Sequence, residues 1–188
     1  MLSNTKLLLV KRNQLNQDNW TKAWNFASEV HKGQVYGDQP YILHLAMVAT
    51  EVLAASAREP IKNLDLAVLC AILHDTIEDQ NVTTRELKKL FGKEVSDGVK
   101  ALSKNPQLPK SEKMEDSLKR IKLQPKDVWC VKLADRIVNL QPPPKHWNKT
   151  KIQEYKKESQ IILNKLGSAN SFFKKRLFQK IKNYQKFC

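Results

Sequence analysis

The run His74-Asp75-Thr76-Ile77-Glu78-Asp79 places an imidazole and three carboxylates directly behind five apolar residues, Leu69 to Leu73. Charges at the end of a buried helix are costly to desolvate unless something pairs with them, and a divalent cation is an efficient partner. His74 and Asp75 are neighbours about 100° apart on a helix, so both reach one ion only from a favourable position. Glu78 and Asp79 follow one turn later on the same faces and can stand beside an ion without ligating it. A second segment, Val131-Lys132-Leu133-Ala134-Asp135, again brings an acid to the end of an apolar stretch, with Asn139 one turn on. His44 follows the Pro40-Tyr41 pair and is the third element. Two imidazoles and two carboxylates suit Mn²⁺, Fe²⁺ or Zn²⁺ better than Ca²⁺. Four protein ligands on a metal that accepts six leave room for water and substrate, and metal-bound water is acidified from a pKa of ~16 towards ~7. Each piece also has a plain structural reading: His44 as a hydrogen-bonded helix residue, the acids of 75–79 as partners for lysines, Asp135-Arg136 as an internal ion pair. The conjunction favours a metal, because these acids all terminate apolar runs and no cation lies within the run 64–73.

The elements that must carry these residues read as helices. Asp18 is a candidate cap for a helix presenting Trp20, Ala23, Trp24, Ala27 and His31 on one face, with Gly33 ending it. Residues 34–40 read as a loop. A helix over about 42–57 turns Leu45, Val48, Ala49 and Val52 inward, and one over about 64–77, apolar on nearly every side, is expected to be central. Thr83-x-x-Glu86 is a capping box for a short helix ending at Gly92. Val95, Val99 and Leu102 mark the next. Residues 103–110 read as a loop, with helices over about 111–121 and 127–140, the latter stopped by Pro142-Pro143-Pro144. Thr150-x-x-Gln153 reads as the cap of a helix through Leu166, and a last helix spans about 170–184. The expected architecture is an all-α, single-domain helical bundle over residues 1–188, with its core at about 18–167 and a basic C-terminal helix within 168–188.

Composition agrees. The chain has 188 residues, 41% hydrophobic, enough for a sizeable core, and five glycines, too few for a sandwich or barrel of many tight turns. Cys70, Cys130 and Cys188 form no CxxC pair, so neither a thiolate zinc site nor a disulfide framework is expected. No apolar run is long enough to span a bilayer. The start, with its short Leu7-Leu8-Leu9-Val10 run closed by Lys11-Arg12, lacks a signal-peptide pattern, which predicts a cytoplasmic protein with no membrane partner. The net charge of +14 lies wholly in the second half, and no acid follows Glu158. Such a field attracts polyanions. Thin aromatic interleaving makes a nucleic acid a poorer fit than a phosphorylated small molecule.

These motifs resemble the HD-domain phosphohydrolases, and more closely the small stand-alone hydrolases related to the hydrolase domain of RelA/SpoT proteins. The matching pieces run in order from Phe26-Ala27-x-x-Val30-His31-Lys32-Gly33-Gln34 and Pro40-Tyr41-Ile42-Leu43-His44 to Ala71-Ile72-Leu73-His74-Asp75-Thr76-Ile77-Glu78-Asp79. Leu90-Phe91-Gly92, Leu108-Pro109-Lys110, Val131-Lys132-Leu133-Ala134-Asp135-Arg136-x-x-Asn139-Leu140 and Glu154-Tyr155 complete them. The resemblance implies an all-α fold and one Mn²⁺ held by His44, His74, Asp75 and Asp135. It implies that Glu78 and Asp79 position and deprotonate the attacking water, and that Lys110, Asn139 and Tyr155 help hold a nucleotide. The implied reaction removes the 3′-pyrophosphate of (p)ppGpp, leaving GDP or GTP; no synthetase activity is expected. The loop Val35-Tyr36-Gly37-Asp38-Gln39 departs from the family pattern, which carries an Arg-Lys pair there. That departure keeps two alternatives open: another nucleotide or a phosphorylated dinucleotide cofactor as substrate, and a basic RNA- or protein-binding module with a vestigial site.

Overall fold

A computed structural model describes residues 15–188; the Leu7–Val10 run and Lys11-Arg12 lie outside the described residues. Among the described residues the chain is all-α apart from one small hairpin. The elements are α1 (Gln17–Val30), β1 (Val35–Tyr36), β2 (Gln39–Pro40), α2 (Ile42–Ser56), α3 (Leu64–Leu73), α4 (Thr76–Gln80) and α5 (Thr84–Phe91). They continue as α6 (Lys93–Leu102), α7 (Lys110–Lys122), α8 (Lys126–Asn139), α9 (Lys149–Leu166) and α10 (Ser171–Tyr184). Among the described residues, no helix is long and apolar enough to cross a membrane.

α3 is the hub, as its all-round apolarity requires. Every residue from Leu66 to Leu73 is buried, and α1, α2, α6 and α8 pack around it. The starts of α3 and α8 are tied by the Asn63 backbone N–H, which donates to Asp127 Oδ1 at 2.7 Å. Asn63 in turn caps α3 by accepting from the Leu66 N–H at 3.1 Å. The two helices therefore run in parallel, and their C-terminal ends arrive together. α10 belongs to the same core, burying Phe173, Leu177, Ile181 and Tyr184. Its start is fastened by Glu59, whose carboxylate accepts from the Ser171 and Phe172 backbone N–H groups.

Several boundaries differ from the sequence reading. α1 is capped by Asn16, which accepts from the Asn19 N–H, and Asp18 sits in its first turn. α9 is capped by Asn148 rather than Thr150. Both pairs of candidates lie within one turn of the helix start, where spacing alone does not choose between them. Residues 34–40 form an antiparallel hairpin rather than an open loop, pairing Val35 with Pro40 and Tyr36 with Gln39. Gly37, at φ +60°, supplies the left-handed residue that a two-residue turn demands. The third helix stops at Leu73 instead of running to Ile77, because Thr76 Oγ1 donates to the Leu73 carbonyl at 2.7 Å and the chain restarts as α4.

Close approach of α6 to the hub depends on one missing side chain. A Cβ at Gly98 would lie 2.7 Å from Cys70 Sγ and 3.1 Å from Val128 Cγ2. Gly98→Ala should therefore forfeit the ~1 kcal/mol that alanine brings to a helix and instead destabilise by ~1–3 kcal/mol. Chemical denaturation of Gly98→Ala, Cys70→Ala and the double variant checks this. A coupling energy within error of zero would show that the sulfur is not the obstacle.

Candidate active site

Four helices bring the sequence-nominated groups to one end of the bundle. His44 stands in the first turn of α2, His74 caps the C-terminus of α3, Asp75 is the N-cap of α4, and Asp135 lies one turn from the end of α8. α2 runs antiparallel to α3 and α8, so its start meets their ends. His74 is held by a 2.9 Å contact between its Nδ1 and the Ala71 carbonyl. A carbonyl only accepts, so Nδ1 carries the proton and Nε2 is the atom turned to the site.

Each imidazole lies within 4 Å of both carboxylates. His44 Nε2 is 3.6 Å from Asp75 Oδ2 and 3.6 Å from Asp135 Oδ1. His74 Nε2 is 2.8 Å from Asp75 Oδ2 and 3.9 Å from Asp135 Oδ1. Ligands at ~2.1 Å from a common ion stand ~3 Å apart when they are adjacent in an octahedron, so these separations fit a shared cation. His44, His74 and Asp75 form the tighter group, with ligand atoms all within 4.8 Å of one another. His74 Nε2 is buried against Asp75 Oδ2, with no other hydrogen-bond partner among the described residues. A divalent ion can take the place of the proton between a buried imidazole nitrogen and a carboxylate.

The surroundings orient these ligands. Tyr41 donates its hydroxyl to Asp75 Oδ2 at 2.5 Å, and the Tyr36 ring stacks on His44 at 4.8 Å. Asn139 donates its amide to Asp135 Oδ1, and Lys132 Nζ lies 3.0 Å from Asp135 Oδ2. Burial works against charge on Asp135, but Lys132 and His74 overcome it and lower its carboxyl to about 2. Burial likewise disfavours a charged His74, but Asp75 outweighs it and raises the imidazole to about 9.

The site opens into a cleft of about 510 Å³ that also takes in Glu78, Asp79, Lys110, Asn139 and Tyr155. Every residue nominated from the sequence thus lines this cleft or, as His74 does, adjoins it. The two carboxylates of α4 are held differently. Glu78 accepts from Lys104 through both its backbone N–H (2.8 Å) and Nζ (2.7 Å). Asp79 is exposed and accepts from Gln34 Nε2 at 2.8 Å. Lys110, the first residue of α7, is exposed at the mouth. Tyr155 is half-buried under Arg136, whose guanidinium carbon lies 4.1 Å from the ring centre.

Sequence reasoning missed Tyr36, Tyr41, Lys104, Lys132, Trp147 and Lys151 as lining residues. Lys132, three residues before Asp135, carried a helical-spacing signal. The others come from loops or helix starts whose approach to the cleft has no local signature. Arg136 pairs across helices with Glu158, so the alternative of an Asp135–Arg136 ion pair is not the arrangement adopted.

A family model described as HD domain matches residues 23–171. The chain belongs to the HD-domain family. Among curated relatives, it is 30% identical over 162 residues to the guanosine-3′,5′-bis(diphosphate) 3′-pyrophosphohydrolase MESH1 of Danio rerio, covering 82% of this chain and 88% of that protein. It is 33% identical to the Xenopus tropicalis protein of the same name, covering 83% and 89%. Among solved structures, a metazoan ortholog of SpoT, described as hydrolysing ppGpp, superposes with a TM-score of 0.79 at 20% identity, over 93% of this chain and 99% of that one. The Listeria monocytogenes protein lmo0812 superposes at 0.62. HD-domain membership agrees with a metal at the His44–His74–Asp75 group.

The raised His74 pKa makes a signed prediction. A pKa raised from 6.5 to about 9 means that the protonated imidazole stabilises the fold. That stabilisation is complete below the unfolded value and is lost as pH rises through the folded one. Chelator-treated protein should lose roughly 5 °C of Tm between pH 6.5 and 9.5, and His74→Asn should lose less. A divalent ion replaces the proton, so metal-loaded protein should show the loss abolished. An identical pH profile with and without metal would place the ion elsewhere.

Proposed function

We propose that this chain is a metal-dependent phosphohydrolase that removes the 3′-pyrophosphate of (p)ppGpp, yielding GDP or GTP and pyrophosphate. The convergence of two imidazoles and two carboxylates from α2, α3, α4 and α8 at the floor of a lysine-lined cleft carries this reading. The activity named for the MESH1 relatives supports the choice of substrate. His44, His74, Asp75 and Asp135 would hold the ion. The mixed N/O donor set suits Mn²⁺, Fe²⁺ or Zn²⁺, and Mn²⁺ is the ion that the family resemblance implies. When bound, the ion supplies Lewis-acid polarisation of the phosphate and acidifies a water.

The protein's own groups account for the rest. Water attacks the phosphorus attached to O3′; the P–O3′ bond breaks, and O3′ leaves as a hydroxyl once the proton taken from water is returned to it through solvent. Asp79 is the freer of the two α4 carboxylates and takes the proton from water. Glu78, anchored by Lys104, orients the water. Lys104 and Lys110 offset charge developing on the phosphates. Asn139 acts partly through Asp135, holding that ligand while facing the nucleotide. Tyr155 presents an aromatic wall to the nucleotide.

The hairpin favours testing a second substrate class. Its turn is Gly37-Asp38, with no basic residue, so the cations come from Lys104 after α6 and from α7, α8 and α9. Nucleotides with a 2′- or 3′-monophosphate, including phosphorylated dinucleotide cofactors, belong in the same assay, where release of phosphate alone would favour them. A vestigial site in an RNA-binding module is disfavoured, because all four ligand positions remain occupied by ligating residues.

Purified protein with Mn²⁺ should release pyrophosphate from ppGpp. Asp75→Ala should abolish release and metal binding together. Asp79→Asn should lower kcat by ~10²-fold or more while leaving metal stoichiometry at one. Wild-type turnover by Asp75→Ala would refute the metal assignment.

A further inference from the structure

Arg136 is 5% exposed, the buried arginine among the described residues, yet its guanidinium is poorly satisfied. Its Nη1 reaches Ser159 Oγ only at 3.4 Å, its Nη2 stands 3.5 Å from Glu158 Oε2, and its buried Nε has no partner among the described residues. Arg120 shows what this fold does when an arginine is purely structural. That side chain donates to Asp116, Lys100, Ala101 and Ser103 at 2.6–3.1 Å. A buried guanidinium with five donors and two long contacts bears a desolvation cost that an anion would relieve. Arg136 lines the cleft wall formed by α8 and α9, stacked on Tyr155, with Lys151 and Trp147 beside it.

We infer that this wall is a second anion subsite, centred on Arg136 and Lys151, which receives the non-scissile phosphates of the substrate, and that Glu158 occupies it as a stand-in carboxylate in the free protein. The inference rests on the phosphohydrolase reading and deepens it, by requiring a phosphate away from the reacting one. Glu158 suits the stand-in role. Its contact with Arg136 is long, its side chain is 38% exposed, and it lines two cavities at once. The second cavity is a groove of about 920 Å³ between α7 and α9, where Lys157 and Lys165 are available to a displaced carboxylate. Arginine matches phosphate bidentately and more strongly than it matches one distant carboxylate oxygen.

The test uses Mn²⁺-loaded protein and two readouts. Calorimetric titration with GDP, which carries only the 5′-phosphates, reads the subsite directly. The ratio of kcat/KM for ppGpp over guanosine 3′-diphosphate lacking 5′-phosphates reads it in catalysis. Glu158→Gln should tighten GDP about 3–10-fold by removing the competing charge and should raise the kcat/KM ratio. Arg136→Gln should weaken GDP by about 10-fold or more and lower the ratio, with Arg136→Lys between. Unchanged or weaker GDP binding by Glu158→Gln overturns the proposal, and this surface variant decides it even if Arg136→Gln fails to fold. An equal fall on both substrates with Arg136→Gln, GDP binding unaltered, also overturns it, leaving Arg136 as a brace between α8 and α9. The expected GDP effects in a protein that hydrolyses neither substrate would sustain the subsite and refute the phosphohydrolase reading. Hydrolysis with GDP binding insensitive to both variants would do the reverse.

Discussion

Two carboxylates, Asp75 and Asp135, are brought to the dry ends of apolar helices, and the rest of the architecture answers to that constraint. Left alone, such a pair repels and resists desolvation. Here each acid is matched on the protein side: Asp75 by the Tyr41 hydroxyl and the His74 imidazole, Asp135 by Lys132 and the Asn139 amide. Those partners fix the oxygens in place and leave the space between the two imidazoles as the natural seat of a cation. The rigid hub makes the arrangement reproducible. α3 cannot shift along its axis without exposing a fully apolar surface, so His74 is held as firmly as the core itself.

The cleft is electrically divided. Both imidazoles and the carboxylates of Asp75, Glu78 and Asp79 come from the α2–α4 side, while Lys110, Lys132, Arg136 and Lys151 come from α7, α8 and α9, with the carboxylates of Asp135 and Glu158 among them. The division follows the sequence, whose net charge of +14 is carried by its second half. A polyphosphate lying across the cleft would meet the metal at one end and lysines at the other, the arrangement that steers an anionic substrate and orients it. Part of the basic C-terminal excess is structural. α10 packs its apolar stripe into the core, and its Arg176 forms a double hydrogen-bonded pair with Glu51 of α2.

Much of this is legible in the sequence. The apolar-to-ionic transitions at Leu73-His74 and Ala134-Asp135 marked the site, because a sequence cannot bury charge without a reason. The 3.6-residue periodicity located nearly all the helices. The misread boundaries share a cause. Asn16 against Asp18, and Asn148 against Thr150, are choices between two good caps within one turn, decided by which side chain meets the orphan N–H. The break after Leu73 was invisible, since Thr76 and Ile77 continue the helical pattern and only the Thr76 hydroxyl, turned back on the Leu73 carbonyl, marks the stop. The hairpin escaped notice because its strands are two residues long, too short for any alternation to show.

The sequence by itself determined the helical class, the central place of 64–73 and the identity of the groups able to bind an ion, since these depend on residue type and on spacing within one helix. The tertiary structure alone decided that His44 and His74, 30 positions apart, each come within 4 Å of Asp135, 61 positions beyond His74. It also decided that Tyr41, Lys104 and Trp147 face the same cleft, and that Arg136 turns to α9 rather than to its neighbour Asp135. Such meetings depend on how helices pack and in which direction they run. Packing is a property of whole buried surfaces, and no local window of residues contains it.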